Sequence, residues 1–222
     1  MILHHPDDEL LLAHAAGSLL NGHSLLVATH VEGCAHCRER MRLFEAAGGS
    51  LLEALSPEVL QAEALARTLA AIDAPSPALS PSAPRTPAEA GVLPAAPEGM
   101  SWPRAMRGCV ATRWRWLGPG MHWSRVTLPW DKAANVFLLR IGAGKMLPQH
   151  THSESELTQV LYGQFHDGRA LFGPGDFDET DGSIRHQPTV EAAGECICLA
   201  SVQGKVLFDG AVARVLGAMV GM

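Results

Sequence analysis

Gly144-Lys-Met-Leu-Pro-Gln-His150-Thr-His152-Ser-Glu-Ser-Glu156, running on to Gly163, is the stretch on which the architecture of this chain turns. Side chains two apart on a strand face the same side, so His150 and His152 project together. Glu156 keeps their parity if the strand continues. Two imidazoles and a carboxylate, joined by an imidazole from elsewhere, make a site for a divalent transition ion: Zn, Fe(II) and Mn all suit it. His186, downstream of the Gly173-Pro174-Gly175 turn, is the obvious fourth ligand.

Outward from this stretch, everything after Gly99 alternates as strands do. Val136 and Leu138 alternate with Phe137, Leu139 and Ile141, and Trp114 alternates with Trp116. Met121–Leu128, Gln159–His166 and Cys196–Val202 are further strand candidates, separated by Gly- and Pro-containing turns. Short strands with such punctuation indicate an all-β sandwich or barrel. The spacing Gly144-x5-His150-x-His152-x3-Glu156-x6-Gly163 resembles the first motif of the cupin fold, a double-stranded β-helix. Of the second motif, Gly168-x5-Pro174 fits, whereas the His comes late and Val190 stands where Asn is expected.

The first third of the chain is helical in pattern and holds a second constellation, His30-x3-Cys34-x2-Cys37. A Cys-x2-Cys pair with a nearby His presents soft donors to zinc. Gly33 predicts a break, with Cys34 opening the next helix and Cys37 in its first turn, where the helix dipole favours a thiolate. His5 or its neighbour His4 is placed to complete the set if the first helix folds back. Pro6-Asp7-Asp8-Glu9 predicts a helix start, Ser18 to His30 a second helix, and a third that weakens at Gly48-Gly49. Ser56-Pro57 predicts a fourth start, with Leu65, Leu69 and Ile72 on one stripe. Short helices make a thin core that a metal would staple, and the fourth has little of its own chain to pack against.

Residues 73–98 hold seven Pro and seven Ala and no aromatic residue, the composition of a semi-extended linker. The expected organisation is therefore α plus β: a small zinc-stapled helical domain over 1–72, a linker over 73–98 and an all-β domain over 99–222, halves that need not hold a fixed orientation. The net charge of −6 gives no footprint for direct nucleic-acid binding. Residues 1–72 carry nine Asp/Glu against four Lys/Arg, a surface that suits a basic protein partner. No apolar run approaches the roughly 18 residues of a membrane span, and five cysteines without a regular framework fit metal in a reducing cytoplasm.

Taken together, the two halves resemble the ChrR-type zinc anti-sigma factors. The resemblance is carried by Ala-Thr-His30 with Cys34 and Cys37, by Gly-Gly-Ser50, by the His150-x-His152-x3-Glu156 strand and by Cys196-Ile-Cys198-Leu-Ala. It implies zinc on His5, His30, Cys34 and Cys37, and a second zinc or other divalent metal on His150, His152, Glu156 and His186. It also implies a 1:1 complex of the helical domain with an extracytoplasmic-function sigma factor, withheld from RNA polymerase. The cupin would be needed for release, under singlet-oxygen type stress in the best-known members, through a small-molecule or oxidant signal. The chain would then be a regulator and not an enzyme. The competing reading is a cupin dioxygenase or isomerase with an accessory zinc module. His14, His23, His36, His122 and His166 read as surface or core histidines, and Cys196 and Cys198, which share strand parity, as core.

Overall fold

Asp7 starts the first helix, α1 (Asp8–Ala15), by accepting a hydrogen bond from the Leu10 amide at 2.7 Å, and Gly17 with φ +67° ends it. The structure, a computed structural model, describes residues 1–74 and 92–209. Helix α2 (Asn21–Gly33) begins three residues later than Ser18, whose hydroxyl turns back to the Ala13 carbonyl. Cys34 is extended (φ −107°, ψ 111°) and forms the corner at which α3 (Ala35–Glu53) departs. Arg38 closes that corner, donating to the Val31 and Glu32 carbonyls at 2.8 Å each.

Two helix expectations fail. Helix α3 runs straight through Gly48-Gly49, and α4 (Ala64–Asp73) begins eight residues beyond Ser56. An N-cap is worth only about 1 kcal/mol, and residues 56–63 are all exposed, so no burial supports a helix there. Of the stretch expected as a linker, 75–91 lies outside the described residues. Asp73 ends α4, while Val92 accepts from the Ala111 amide and Pro94 from the Trp102 indole, which lays 92–94 along the barrel.

The β region follows in strands β1 (Val110–Ala111), β2 (Arg115–Gly118), β3 (Met121–Leu128), β4 (Asp131–Ile141), β5 (His150–His152), β6 (Ser155–Tyr162), β7 (Phe165–His166), β8 (Leu171–Phe172), β9 (Phe177–Asp181), β10 (Thr189–Val190), β11 (Cys196–Val202) and β12 (Val206–Phe208). The main sheet is ordered β1-β3-β4-β11-β6-β9, with β2 also on β3. The small sheets β10-β7-β8 and β12-β5 complete the cupin-like barrel. The expected strand from His150 through Glu156 is broken after His152: β5 pairs with β12, whereas β6 pairs with β11 and β9. Gln159–His166 is likewise split at Gly163, where φ is +71° and a Cβ would lie 2.0 Å from the Glu195 carbonyl. Only glycine fits that turn.

The barrel interior is lined by Phe137, Leu139, Val160, Cys198 and their neighbours. The outer face of the same sheet is equally apolar, and Val136, Leu138, Leu157 and Leu199 share one core with Leu11, Leu25, Leu26 and Val27 of the helices. The halves therefore share a core and hold a defined orientation, which the linker composition alone did not require. Where α2 meets the sheet its Gly22 admits no side chain, since a Cβ would lie 2.5 Å from Ser201 Oγ and 3.0 Å from Val136. His23 pins the contact with both ring nitrogens, at 2.9 Å from Ser201 Oγ and 2.9 Å from Ser155 Oγ. Leu26 is fully buried in this joint core. Leu26→Ala is expected to cost about 2–5 kcal/mol. The tryptophans all lie between 102 and 130, so their fluorescence reports the barrel and far-UV ellipticity chiefly the helices. Both urea transitions should shift together; a shift confined to ellipticity would mean that the halves unfold separately.

Candidate metal centres

Two groups of ligating side chains, buried except for the half-buried His5, lie on opposite faces of the main sheet near β6 and β9. Outside the barrel, His5 from the arm before α1, His30 from α2, Cys34 at the corner and Cys37 from the first turn of α3 converge, their ligand atoms all within 4.8 Å of one another. His5 Nδ1 lies 3.4 Å from His30 Nε2, 3.4 Å from Cys34 Sγ and 3.5 Å from Cys37 Sγ, and His30 Nε2 lies 3.3 Å from Cys37 Sγ. A tetrahedral zinc site with nitrogen at about 2.0–2.1 Å and sulfur at about 2.3 Å has edges of about 3.3–3.8 Å, so the donor set fits. His4 is not in the cluster; its ring lies against Phe172, with centroids 4.6 Å apart. His36 is exposed.

The electrostatics show what this cluster lacks without an ion. Burial, then His5, pushes the His30 imidazole down to about 4. Its Nδ1 donates to the Gly175 carbonyl at 3.0 Å, which leaves the Nε2 lone pair aimed at the cysteines. Burial and then Cys34 push the Cys37 thiol up to about 12, against the lowering expected from the helix dipole. Desolvation outweighs a half-charge at a helix end, and a bound dication reverses that balance by holding the thiolate directly.

Inside the barrel, His150 and His152 of β5, Glu156 of β6 and His186 form the second group, all buried. His150 and His186 exchange both backbone hydrogen bonds, at 3.1 and 3.0 Å, which brings the late histidine of the second motif into register. His186 Nε2 lies 3.0 Å from His150 Nε2 and 3.4 Å from His152 Nε2, and His152 Nε2 lies 2.9 Å from Glu156 Oε2. Nitrogen and oxygen ligands at about 2.1 Å around one ion stand about 3.0–3.4 Å apart, so this set fits as well. His150 Nδ1 donates to the Pro148 carbonyl at 2.8 Å, turning its Nε2 lone pair inward. Burial, followed by His150, lowers His186 to about 4. Burial also works against the Glu156 charge, but the hydrogen bond from His152 and the nearby imidazoles more than offset it, and its pKa is lowered. A cavity of about 40 Å³ adjoins the site, with Leu139, Phe165, Cys196 and Cys198 among its walls; it has room for a few waters.

Several contributors carry no sequence signal, because only the tertiary fold brings them near. Asp167 Oδ2 stands 3.7 Å from His186 Nδ1, and Arg169 bridges Asp167 and Asp178 behind it. Asp167, Asp178 and His186 form a third possible ligand group, but Arg169 is already paired with both of its carboxylates. Cys196 and Cys198 are buried free thiols with sulfurs 3.6 Å apart.

Elemental analysis should find two metal ions per chain. Cys34→Ser or Cys37→Ser should lose one and keep the barrel ion, while His150→Ala with Glu156→Ala should do the reverse. Retention of both ions in either variant would refute the assignment. In metal-free protein, His30 and His186 titrate near 4 when folded and near 6.5 when unfolded. The unfolded chain takes up protons first, so stability is full above about 6.5 and falls as pH drops toward 4. Urea midpoints of chelator-treated protein across that window check the sign.

Comparison with known proteins bears on the whole chain. A family model described as the ChrR Cupin-like domain matches residues 104–205. The anti-sigma-E factor ChrR of Cereibacter sphaeroides is 37% identical over 212 residues, 94% of this chain and 93% of the relative. A crystal structure of Rhodobacter sphaeroides SigE in complex with the anti-sigma ChrR matches with a TM-score of 0.68 and 34% identity, over 91% of this chain and 100% of the other. With that identity across nearly all of both sequences, this chain belongs to the ChrR family of anti-sigma factors.

Proposed function

We propose that this protein sequesters an extracytoplasmic-function sigma factor in a 1:1 complex, holds zinc at His5, His30, Cys34 and Cys37, and uses a divalent ion in the barrel to govern release under oxidative stress of the singlet-oxygen type. One observation of this chain carries the partner: an apolar helical surface that no described residue covers. No residue of α4 is buried; Leu65, Leu69 and Ile72, spaced along one stripe, are 70, 51 and 73% exposed, and Leu51 and Leu52 at the end of α3 are 72 and 70% exposed. An amphipathic helix bare along its apolar stripe is the form a helix takes when its other half is a partner protein. The acidic balance of residues 1–72 suits a basic partner, and the relatives above are named for binding a sigma factor.

Zinc is favoured at the first cluster because two thiolates and two imidazoles in a tetrahedron suit it best. The enzyme alternative needs room for a substrate beside the barrel ion, and a cavity of about 40 Å³ holds only waters or a very small molecule. Among the described residues no helix is long and apolar enough to cross a membrane, in keeping with work in the cytoplasm beside a sigma factor.

Co-expression with an extracytoplasmic-function sigma factor of the same organism should give a 1:1 complex by light scattering on a sizing column. Leu65→Asp with Leu69→Asp should weaken it by two orders of magnitude or so, since each places a charge against a desolvated partner surface. These side chains touch no core, so thermal stability should be unchanged. Undiminished binding by the double variant would exclude α4 as the docking element.

A further inference from the structure

Away from the ligands themselves, one short turn of the barrel gathers an unusual number of contacts to the first cluster. It is Gly173-Pro174-Gly175-Asp176, leading into Phe177 at the start of β9. The Gly175 carbonyl accepts from His30 Nδ1 at 3.0 Å. Asp176 Oδ1 accepts from the Leu3 amide at 2.6 Å and the His4 amide at 3.0 Å. The Phe177 amide donates to the His4 carbonyl at 3.1 Å, which adds the N-terminal arm alongside the edge of the main sheet. Ile2 sits on Gly175 so closely that a Cβ there would lie 2.7 Å from Ile2 Cγ1, and the φ of +92° also calls for glycine. The Phe177 ring meets the His30 ring edge-on, with centroids 5.6 Å apart.

We infer that Asp176, together with the Gly175 carbonyl, positions His5 and His30 for metal, so that a barrel turn is the outer shell of the N-terminal metal site. This rests on the reading of that cluster as a metal site. Three of its ligands, His30, Cys34 and Cys37, sit on one helix–corner–helix that its own capping bonds hold in shape. His5 does not. It lies on residues 1–7, which have no secondary structure, and ordering them costs conformational entropy. The bonds that offset that cost come from the barrel. Asp176 is 3% exposed, and its two oxygens divide the work: Oδ2 accepts from the Gly173 amide at 2.8 Å and closes the turn, while Oδ1 is given over to the arm. A buried carboxylate taking two amides of the arm is a charge-assisted latch. Groups that orient ligands from behind typically govern metal affinity by about 10–100-fold.

The test uses the full chain loaded with Co(II), because thiolate-to-cobalt charge-transfer absorption arises only at the cluster with Cys34 and Cys37. Asp176→Ala should release cobalt from that cluster to a competing chelator about 10–100-fold more readily. Ile2→Asp, which leaves the barrel untouched and drives the arm off Gly175, should act in the same direction. In both, total metal content after desalting should show the barrel ion retained and tryptophan fluorescence should be unaltered. The latch is overturned if both variants hold thiolate-bound cobalt as the parent does. It is equally overturned if Asp176→Ala empties both sites alike, the mark of a role in barrel folding alone. Absence of thiolate–cobalt absorption in the parent protein would instead remove the metal reading of the cluster, and the latch with it.

Discussion

Helix α2 lying flat on the outer face of the main sheet is the contact on which the rest of this molecule depends. Leu25, Leu26 and Val27 enter a core whose other half is Val136, Leu138, Leu157 and Leu199 of the barrel. Three short helices bury little among themselves, so without that sheet they would have few means of fixing α2. The approach is close because Gly22 presents only hydrogen to Ser201 and Val136, and it is oriented because His23 finds a hydroxyl for each ring nitrogen. Apolar area supplies the driving force, and the buried histidine sets the register of helix on sheet. Once α2 is placed, His30 follows, and with it the corner that carries both cysteines.

How far this could be read in advance varied with the range of the interactions involved. Strands Met121–Leu128 and Cys196–Val202 were legible to the residue, because alternation and turn residues are local. Yet the meaning of Cys-Ile-Cys-Leu-Ala-Ser-Val was only half legible: all seven residues are buried, as happens when a strand is covered on both faces, and the second cover is the helical module. The outward apolar residues of β4, β6 and β11 were thus a sign of docking hidden within an ordinary strand pattern. At Ser56-Pro57 a sound local cap had no surface to pack against and did not start a helix. At His150–Glu156 the three side chains meet although the strand does not continue, because β5 and β6 enter the site from two different sheets. The motif spacing encodes the site and not the strand. The Gly175 carbonyl and Asp176 could not be read at all, since a carbonyl has no sequence identity and the contacts span more than 140 residues.

The two centres share an electrostatic design and a wall. In each, burial disfavours the protonated imidazole, at His30 in one and at His150 and His186 in the other, and a main-chain carbonyl, Gly175 or Pro148, fixes which nitrogen faces inward. Burying so many lone pairs against one another is unfavourable unless a cation sits among them, so at either centre a bound ion would couple its binding to folding. The wall is β6 with β9. Strand β6 turns Glu156 into the barrel and Leu157 and the buried Gln159 out toward the helices; β9 turns Asp178 in and Phe177 out against His30. Adjacent residues of one strand thus belong to different centres.

That shared wall meets the exposed surface through α3. Its first residue follows Cys34, and its 19 residues span about 28 Å before reaching the end that bears Leu51 and Leu52. Only Cys37 and Met41, both in its N-terminal half, are buried, so the helix is gripped at the metal end and free at the other. A tilt of about 10° at the gripped end carries the free end through about 5 Å, roughly the rise of one helical turn. Interfaces between packed helices tolerate far less than that without exchanging one set of side-chain contacts for another. A small change in how the four side chains meet at Cys34 would therefore be enlarged at the far end of α3, whereas the same change would be lost in a surface built on the barrel itself. A metal held at the corner, with the exposed Leu51 and Leu52 a helix length away, would couple the ligand geometry to a surface the barrel does not touch.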